Sequence, residues 1–138
     1  WLFNARKSKM KNKHLPFQIG QHYENWEFDL EVCIYDKIKE FDSYIYLKSF
    51  KFLNIIPLQT ELIFFFDILE LVILTIITKD DKEMENLKDL MTKTFGDYME
   101  YEKEFFSACV YKLEESNQIW LIYYPLEDKT YITYGSPN

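Results

Sequence analysis

"TELIFFFDILELVILTIIT", residues 60–78, decides the fold. Its stretch from 62 to 78 is the longest apolar run in the chain. A membrane-spanning helix needs about 18 or more apolar residues with few or no charges. Asp67 and Glu70 interrupt this one. The run is rich in β-branched and aromatic side chains, which suit a pleated, packed surface better than a helix. Two strands are therefore expected, over 60–66 and 70–78, with "DIL" (67–69) as a short hairpin connection. Their near-continuous apolar character predicts central strands covered on both faces.

Downstream lies one clear helix, "DDKEMENLKDLMTKTFGD" (80–97). Asp80 or Asp81 is the N-cap candidate, and acids in the first turn complement the helix dipole. Met84, Leu87, Leu90, Met91 and Phe95 form an apolar stripe at helical spacing. Gly96 is placed to end the helix. Three more strands follow over 104–113, 118–124 and 130–136, separated by "EESN" and "PLEDK". Upstream, "SYIYLKSFKFLNII" (43–56) reads as strand with a bend or hairpin near Ser49, and Pro57 closes it.

In "WEFDLEVCIY" (26–35), Trp26, Phe28, Leu30, Val32 and Ile34 share one parity, and Glu27, Asp29 and Glu31 share the other. Strict alternation predicts a strand with one buried and one wet face. Strands, one helix and strands again, with short links, predict an α+β domain. The expected form is a mostly antiparallel sheet of five to seven strands, with the helix (about 80–95) packed on one face. Expected core residues are Leu62, Phe64, Phe66, Val72, Leu74, Ile76, Leu87, Leu90, Phe95, Ile119 and Leu121.

At 138 residues the chain is one domain by length, with twelve Phe, eleven Tyr and only three Gly. Such a composition is globular. Residues 1–15 hold five Lys or Arg and no acid, so the other 123 residues hold 11 basic against 23 acidic side chains, net −12. The expected organisation is a basic arm over 1–16, of which residues 1 to about 14 are expected to be dispensable for folding, and an acidic domain over 17–138. That domain would repel phosphate, so nucleic-acid binding is not expected and a basic protein partner is.

The basic start is not followed by an apolar segment, so no secretory leader is expected. Two cysteines, Cys33 and Cys109, are too few for a disulfide framework. They are expected as thiols in a reducing cytoplasm, bridged only if their strands are neighbours.

Catalytic signatures are missing. His14 and His22 are the only histidines, and no CxxC, HxxxH, HExxH or GxSxG occurs. Neither metal nor cofactor is expected, and no enzymatic activity is assigned. What stands out is exposed acid. Glu27, Asp29 and Glu31 make one set; Asp97, Glu100, Glu102 and Glu104, interleaved with Tyr98 and Tyr101, make another. Carboxylates steer a cationic partner and tyrosines anchor it. These nine residues are the candidate partner-binding site.

A short, acidic, aromatic-rich α+β chain with a Lys-rich start ("LFNARKSKMKNK", 2–13) and no catalytic motif resembles the small cytosolic immunity proteins of bacterial toxin systems. The resemblance is one of composition and layout over the whole chain, and it carries over no individual residue. It implies a tight inhibitor covering the active site or a critical surface of a basic toxin or effector. The functional expectation is thus a non-enzymatic protein-binding module of inhibitor type, in which a homo-oligomer is compatible with the sequence. A scaffold domain of a secretion or membrane-associated assembly is the alternative, and an enzyme or small-ligand binder the third.

Overall fold

The computed structural model describes residues 13–33, 38–114 and 117–135. Eight strands form one sheet: β1 (Leu30–Val32), β2 (Asp42–Tyr46), β3 (Gln59–Phe65), β4 (Ile68–Ile77), β5 (Tyr98–Glu102), β6 (Ser107–Lys112), β7 (Gln118–Tyr124) and β8 (Lys129–Gly135). A single α-helix among the described residues, α1 (Asp81–Phe95), links β4 to β5. The strand order is β1-β2-β3-β4-β8-β7-β6-β5, antiparallel throughout. Two four-stranded meanders thus meet at β4 and β8. The helix carries the chain from the centre of the sheet to its far edge. The fold is α+β as expected, with eight strands in place of five to seven. The strand not anticipated is β5, whose acidic residues read as a polar run. No helix among the described residues is long and apolar enough to cross a membrane.

The β3–β4 hairpin forms, with a tighter turn than expected. Only Phe66 and Asp67 connect the strands, both at positive φ (49° and 65°), while Ile68 and Leu69 already belong to β4. Phe66 therefore caps the turn at 82% exposure instead of entering the core. A bulge follows: Ile63 pairs with Leu71 but Phe64 with Leu69. The extra residue, Glu70, lets Leu69 and Val72 reach the same core although they are three apart. Gly135 lies opposite Leu71 at φ 117°, and a Cβ there would overlap the Glu70 carbonyl oxygen. Glycine is what the bulge requires of its neighbour.

The helix is capped as its sequence suggests. Asp80 accepts the Glu83 N–H at 2.9 Å, and Gly96 ends the helix at φ 93°. Met84, Leu87 and Met91 are buried, while Leu90 and Phe95 are only half-buried. The stripe is thus centred nearer Leu87 and Met91, with Leu90 at its margin. Leu87→Ala should cost about 2–5 kcal/mol and Leu90→Ala about 1 kcal/mol in urea melts. Equal losses would mean that the helix is rolled toward Leu90.

The core lies between α1 and one sheet face. Leu62, Phe64, Val72, Leu74, Ile76, Ile119 and Leu121 are all in it, as expected. The N-terminal segment closes the other half of that face. Leu15, Phe17 and Ile19 are buried there, and Phe52 plugs the loop between β2 and β3. The backbone of 20–23 pairs with the start of β4, through Gly20 N–H to Leu69 O (2.8 Å) and Tyr23 N–H to Asp67 O (2.7 Å). Of the basic arm, residues 1–12 lie outside the described residues, Lys13 and His14 are exposed, and Leu15 is buried.

"WEFDLEVCIY" is not one strand. Glu27–Asp29 forms a 3-10 turn and only Leu30–Val32 is extended; Ile34 and Tyr35 lie outside the described residues. The turn breaks the two-residue period, so Phe28 points to solvent at 91% exposure while Trp26 packs on Phe17 and Phe64. The expected strand over 43–56 likewise ends at Tyr46, and Leu53 and Asn54 make a turn at positive φ.

Candidate functional site

The sequence-derived candidates fall on the two opposite edges of the sheet. Glu27, Asp29 and Glu31 belong to the segment entering β1, and Asp97, Tyr98, Glu100, Tyr101, Glu102 and Glu104 belong to β5 and its flanks. Six strands separate these edges, so the nine residues make two surfaces. Glu27 and Asp29 sit in the 3-10 turn and Glu31 in β1, so the even carboxylate row expected along one strand does not form. Asp29 is half-buried and pairs with Lys48 at 3.5 Å.

On β5 the alternation of a strand sorts the run. Pairing with β6 puts Tyr98, Glu100 and Glu102 beside Tyr111, Cys109 and Ser107, on the helix-covered side. Met99 and Tyr101 take the other side. Tyr98 leans on the Tyr111 ring (5.3 Å between centroids), with Lys88 Nζ 6.0 Å from its centre. Partial burial lowers the Lys88 pKa, but Cys109, Glu85 and Tyr98 outweigh it and hold the ammonium above its ordinary value. Burial pushes the Cys109 thiol up, with Lys88 opposing. A protonated, buried thiol is in the wrong state for a nucleophile. The recess lined by Met84, Lys88, Glu100, Glu102 and Cys109 holds about 20 Å³, room for one water. Carboxylates, lysine and thiol thus meet without space for a substrate.

His22 and the cysteines of the described residues form no reactive pair. His22 Nδ1 accepts the Glu24 N–H at 3.1 Å and caps a 3-10 turn. No disulfide joins Cys33 and Cys109; five strands lie between β1 and β6. Among the described residues, no three His, Cys, Asp or Glu side chains converge on a metal position.

The sheet face opposite α1 is a different surface. Tyr101 and Trp120 stack there nearly parallel (5.5 Å, 15°), and Trp120 Nε1–H donates to Gln118 Oε1 at 3.0 Å. Ile122, Tyr124, Tyr131 and Ile73 continue the face, all half-exposed, with Met99 and Ile77 more open still. Tyr124 meets Tyr131 edge-on at 5.6 Å and Phe106 at 5.5 Å. A groove of about 400 Å³ runs along Ile73, Ile122, Tyr124, Glu127, Tyr131 and Thr133. Burial, reinforced by the Glu127 carboxylate, holds the Tyr131 phenol above its ordinary value. It donates to Glu127 Oε1 at 3.3 Å.

The expectation of cover on both faces holds for β3, whose Glu61 and Ile63 are buried, and only in part for β4, where Thr75 is buried but Ile73 is half-exposed. Its second face, carrying Ile73 and Ile77, belongs to this open surface. Sequence reading assigned no role to Trp120, Ile122, Tyr124 or Tyr131. The signal was "QIWLIYY", in which both parities are apolar or aromatic. A strand of that kind needs a second cover, and among the described residues one side lacks it.

No family model, curated protein or solved structure matches the chain.

Proposed function

We propose that this domain is a non-enzymatic protein-binding module that takes a basic partner on the open aromatic face, steered by the acidic edge at β5. The observation that carries the reading is the juxtaposition of Tyr101 and Trp120, stacked and partly exposed, with Glu100, Glu102 and Glu104 on the same edge. Aromatic anchors inside a charged rim are the usual composition of a binding hot spot. The net charge of −12 over residues 16–138 supports a cationic partner, and a partner of that kind accords with an inhibitor of a basic toxin or effector.

The test is kinetic. Cross-linking in source cells identifies the basic partner, and association is then followed by surface plasmon resonance. Changing Glu100, Glu102 and Glu104 together to Gln should slow association about tenfold at low salt, and the variant should be less salt-sensitive than the wild type. Equal rates and equal salt slopes would remove this edge from the interface.

The groove favours a second reading, a small-molecule site. Its volume of about 400 Å³ falls within the range of ligand pockets, and Glu127 and Tyr131 supply a polar end to apolar walls. An apolar ligand that raises the melting temperature of the wild type but not of Ile122→Trp would favour this reading.

A further inference from the structure

We infer that β5 is a docking strand: it accepts an extended, antiparallel segment of the partner in which basic and apolar side chains alternate. This rests on the protein-binding reading above and gives it a mode and a partner chemistry.

The backbone supplies the first reason. β5 is the last strand of the sheet, and among the described residues nothing pairs with its outer side. The Lys103 N–H bonds the Phe106 carbonyl at 2.9 Å, and the Leu113 N–H bonds the Asn117 carbonyl at 2.7 Å. In an antiparallel ladder, residues alternate between facing the neighbour and facing away. Both bonds give the same phase. Met99 and Tyr101 turn their N–H and C=O toward β6; Tyr98, Glu100 and Glu102 turn theirs outward. Three residues' donors and acceptors stand ready for a ninth strand. The opposite edge offers less, since β1 has only three residues and is preceded by a 3-10 turn.

The side chains supply the second reason, and they choose the occupant. In an antiparallel ninth strand, directly opposite residues share a face. Residues opposite Glu100 and Glu102 lie beside two carboxylates about 6.5–7 Å apart, the pitch at which alternate Lys or Arg side chains recur. The residue opposite Tyr98 lies near Lys88 and is best neutral. The intervening residues face Met99 and Tyr101, which are 54% and 41% exposed, and so gain from being apolar. A second copy of this chain fits poorly. Two β5 strands centred on one another would place Glu100 opposite Glu100, and like charges directly opposite destabilise a pair.

The experiment uses the full chain and two capped, fluorescein-labelled heptapeptides of one composition, read by anisotropy at low salt. One is Val-Lys-Val-Lys-Val-Thr-Val; the other, Val-Val-Val-Lys-Lys-Thr-Val, gathers its lysines. The alternating peptide should bind about tenfold tighter or better. N-methylation of its two Lys amides, which face β5, should abolish that advantage, while N-methylation of the Val amides should preserve it. Hydrogen exchange should slow at the amides of Tyr98, Glu100 and Glu102 on binding. On the protein side, Glu100→Pro should weaken binding beyond Glu100→Gln, because proline removes the outward donor as well as the charge. The methylated peptides keep the test valid if Glu100→Pro does not fold.

Equal binding of the two peptides, insensitive to which amides are methylated, would overturn strand pairing and leave a purely electrostatic surface, with the protein-binding reading intact. Failure of both peptides to bind would also overturn strand pairing, and the Glu-to-Gln kinetics with the cross-linked partner would then decide the broader reading separately.

Discussion

Phe17→Ala is expected to lower the unfolding free energy by about 3–5 kcal/mol, as measured by denaturant melts. The residue is 4% exposed. Its ring meets three others edge-on: Tyr46 at 5.0 Å, Phe50 at 5.3 Å and Trp26 at 5.8 Å between centroids. Aromatic pairs in this geometry contribute beyond the area they bury. The backbone of Phe17 is held too, because the Tyr134 hydroxyl donates to its carbonyl at 2.9 Å and accepts its N–H at 3.2 Å. Burial pushes the Tyr134 phenol far above its ordinary value, so it is a neutral donor at neutral pH. Truncating Phe17 leaves a cavity between the N-terminal segment, β2 and the loop after it, and the less these neighbours close over it the larger the loss. A loss below about 1 kcal/mol would mean that the segment closes on the sheet without belonging to its cooperative core.

"HLPFQIG" announces this role only faintly. Leu15, Phe17 and Ile19 do alternate, but over five positions with Pro16 between them and just after a lysine-rich stretch. Their burial is decided by what they meet, the aromatic rings of β2 and its following loop, far along the chain. The helix was legible for the opposite reason. Asp80, the stripe through Leu87 and Met91, and Gly96 are local signals that agree with one another. Strands β3, β4 and β7 were legible because long apolar runs need no distant partner to reveal them, and β6 and β8 because short runs rich in β-branched and aromatic residues stand between turn sequences.

The edges were not legible in this way. β5 has the composition of a loop because an exposed edge strand carries charge, a common device against edge-to-edge pairing. Its acidic run was singled out, but its sorting into Glu100 and Glu102 on one side and Tyr101 on the other follows only from the pairing with β6. The alternation of 26–35 failed because a 3-10 turn has no two-residue period, and composition alone does not distinguish the two. Phe66 was placed in the core on its neighbours' evidence. A two-residue turn with both φ angles positive ordinarily takes Asn or Gly, so Phe at its tip ran against the local signal.

The second large effect concerns binding. Tyr101→Ala should weaken the cognate basic partner about thirtyfold or more, the scale of a hot-spot residue, while costing the free domain about 1 kcal/mol. The asymmetry follows from position. Tyr101 lies on the edge strand at 41% exposure, so the unbound fold gains little from it beyond its stack with Trp120. Once a partner excludes water, the same ring is enclosed on both faces, by Trp120 beneath and the partner above. Trp120→Ala acts through the same pair. It removes the platform that orients Tyr101, so the double variant should lose much less than the sum of the two single losses. Calorimetric titration of the four proteins against the partner completes the cycle. Additive losses would mean that the stack does not position Tyr101 for binding. Losses below about threefold for both single variants would move the interface off this face, toward the acidic turn that carries Glu27 and Asp29.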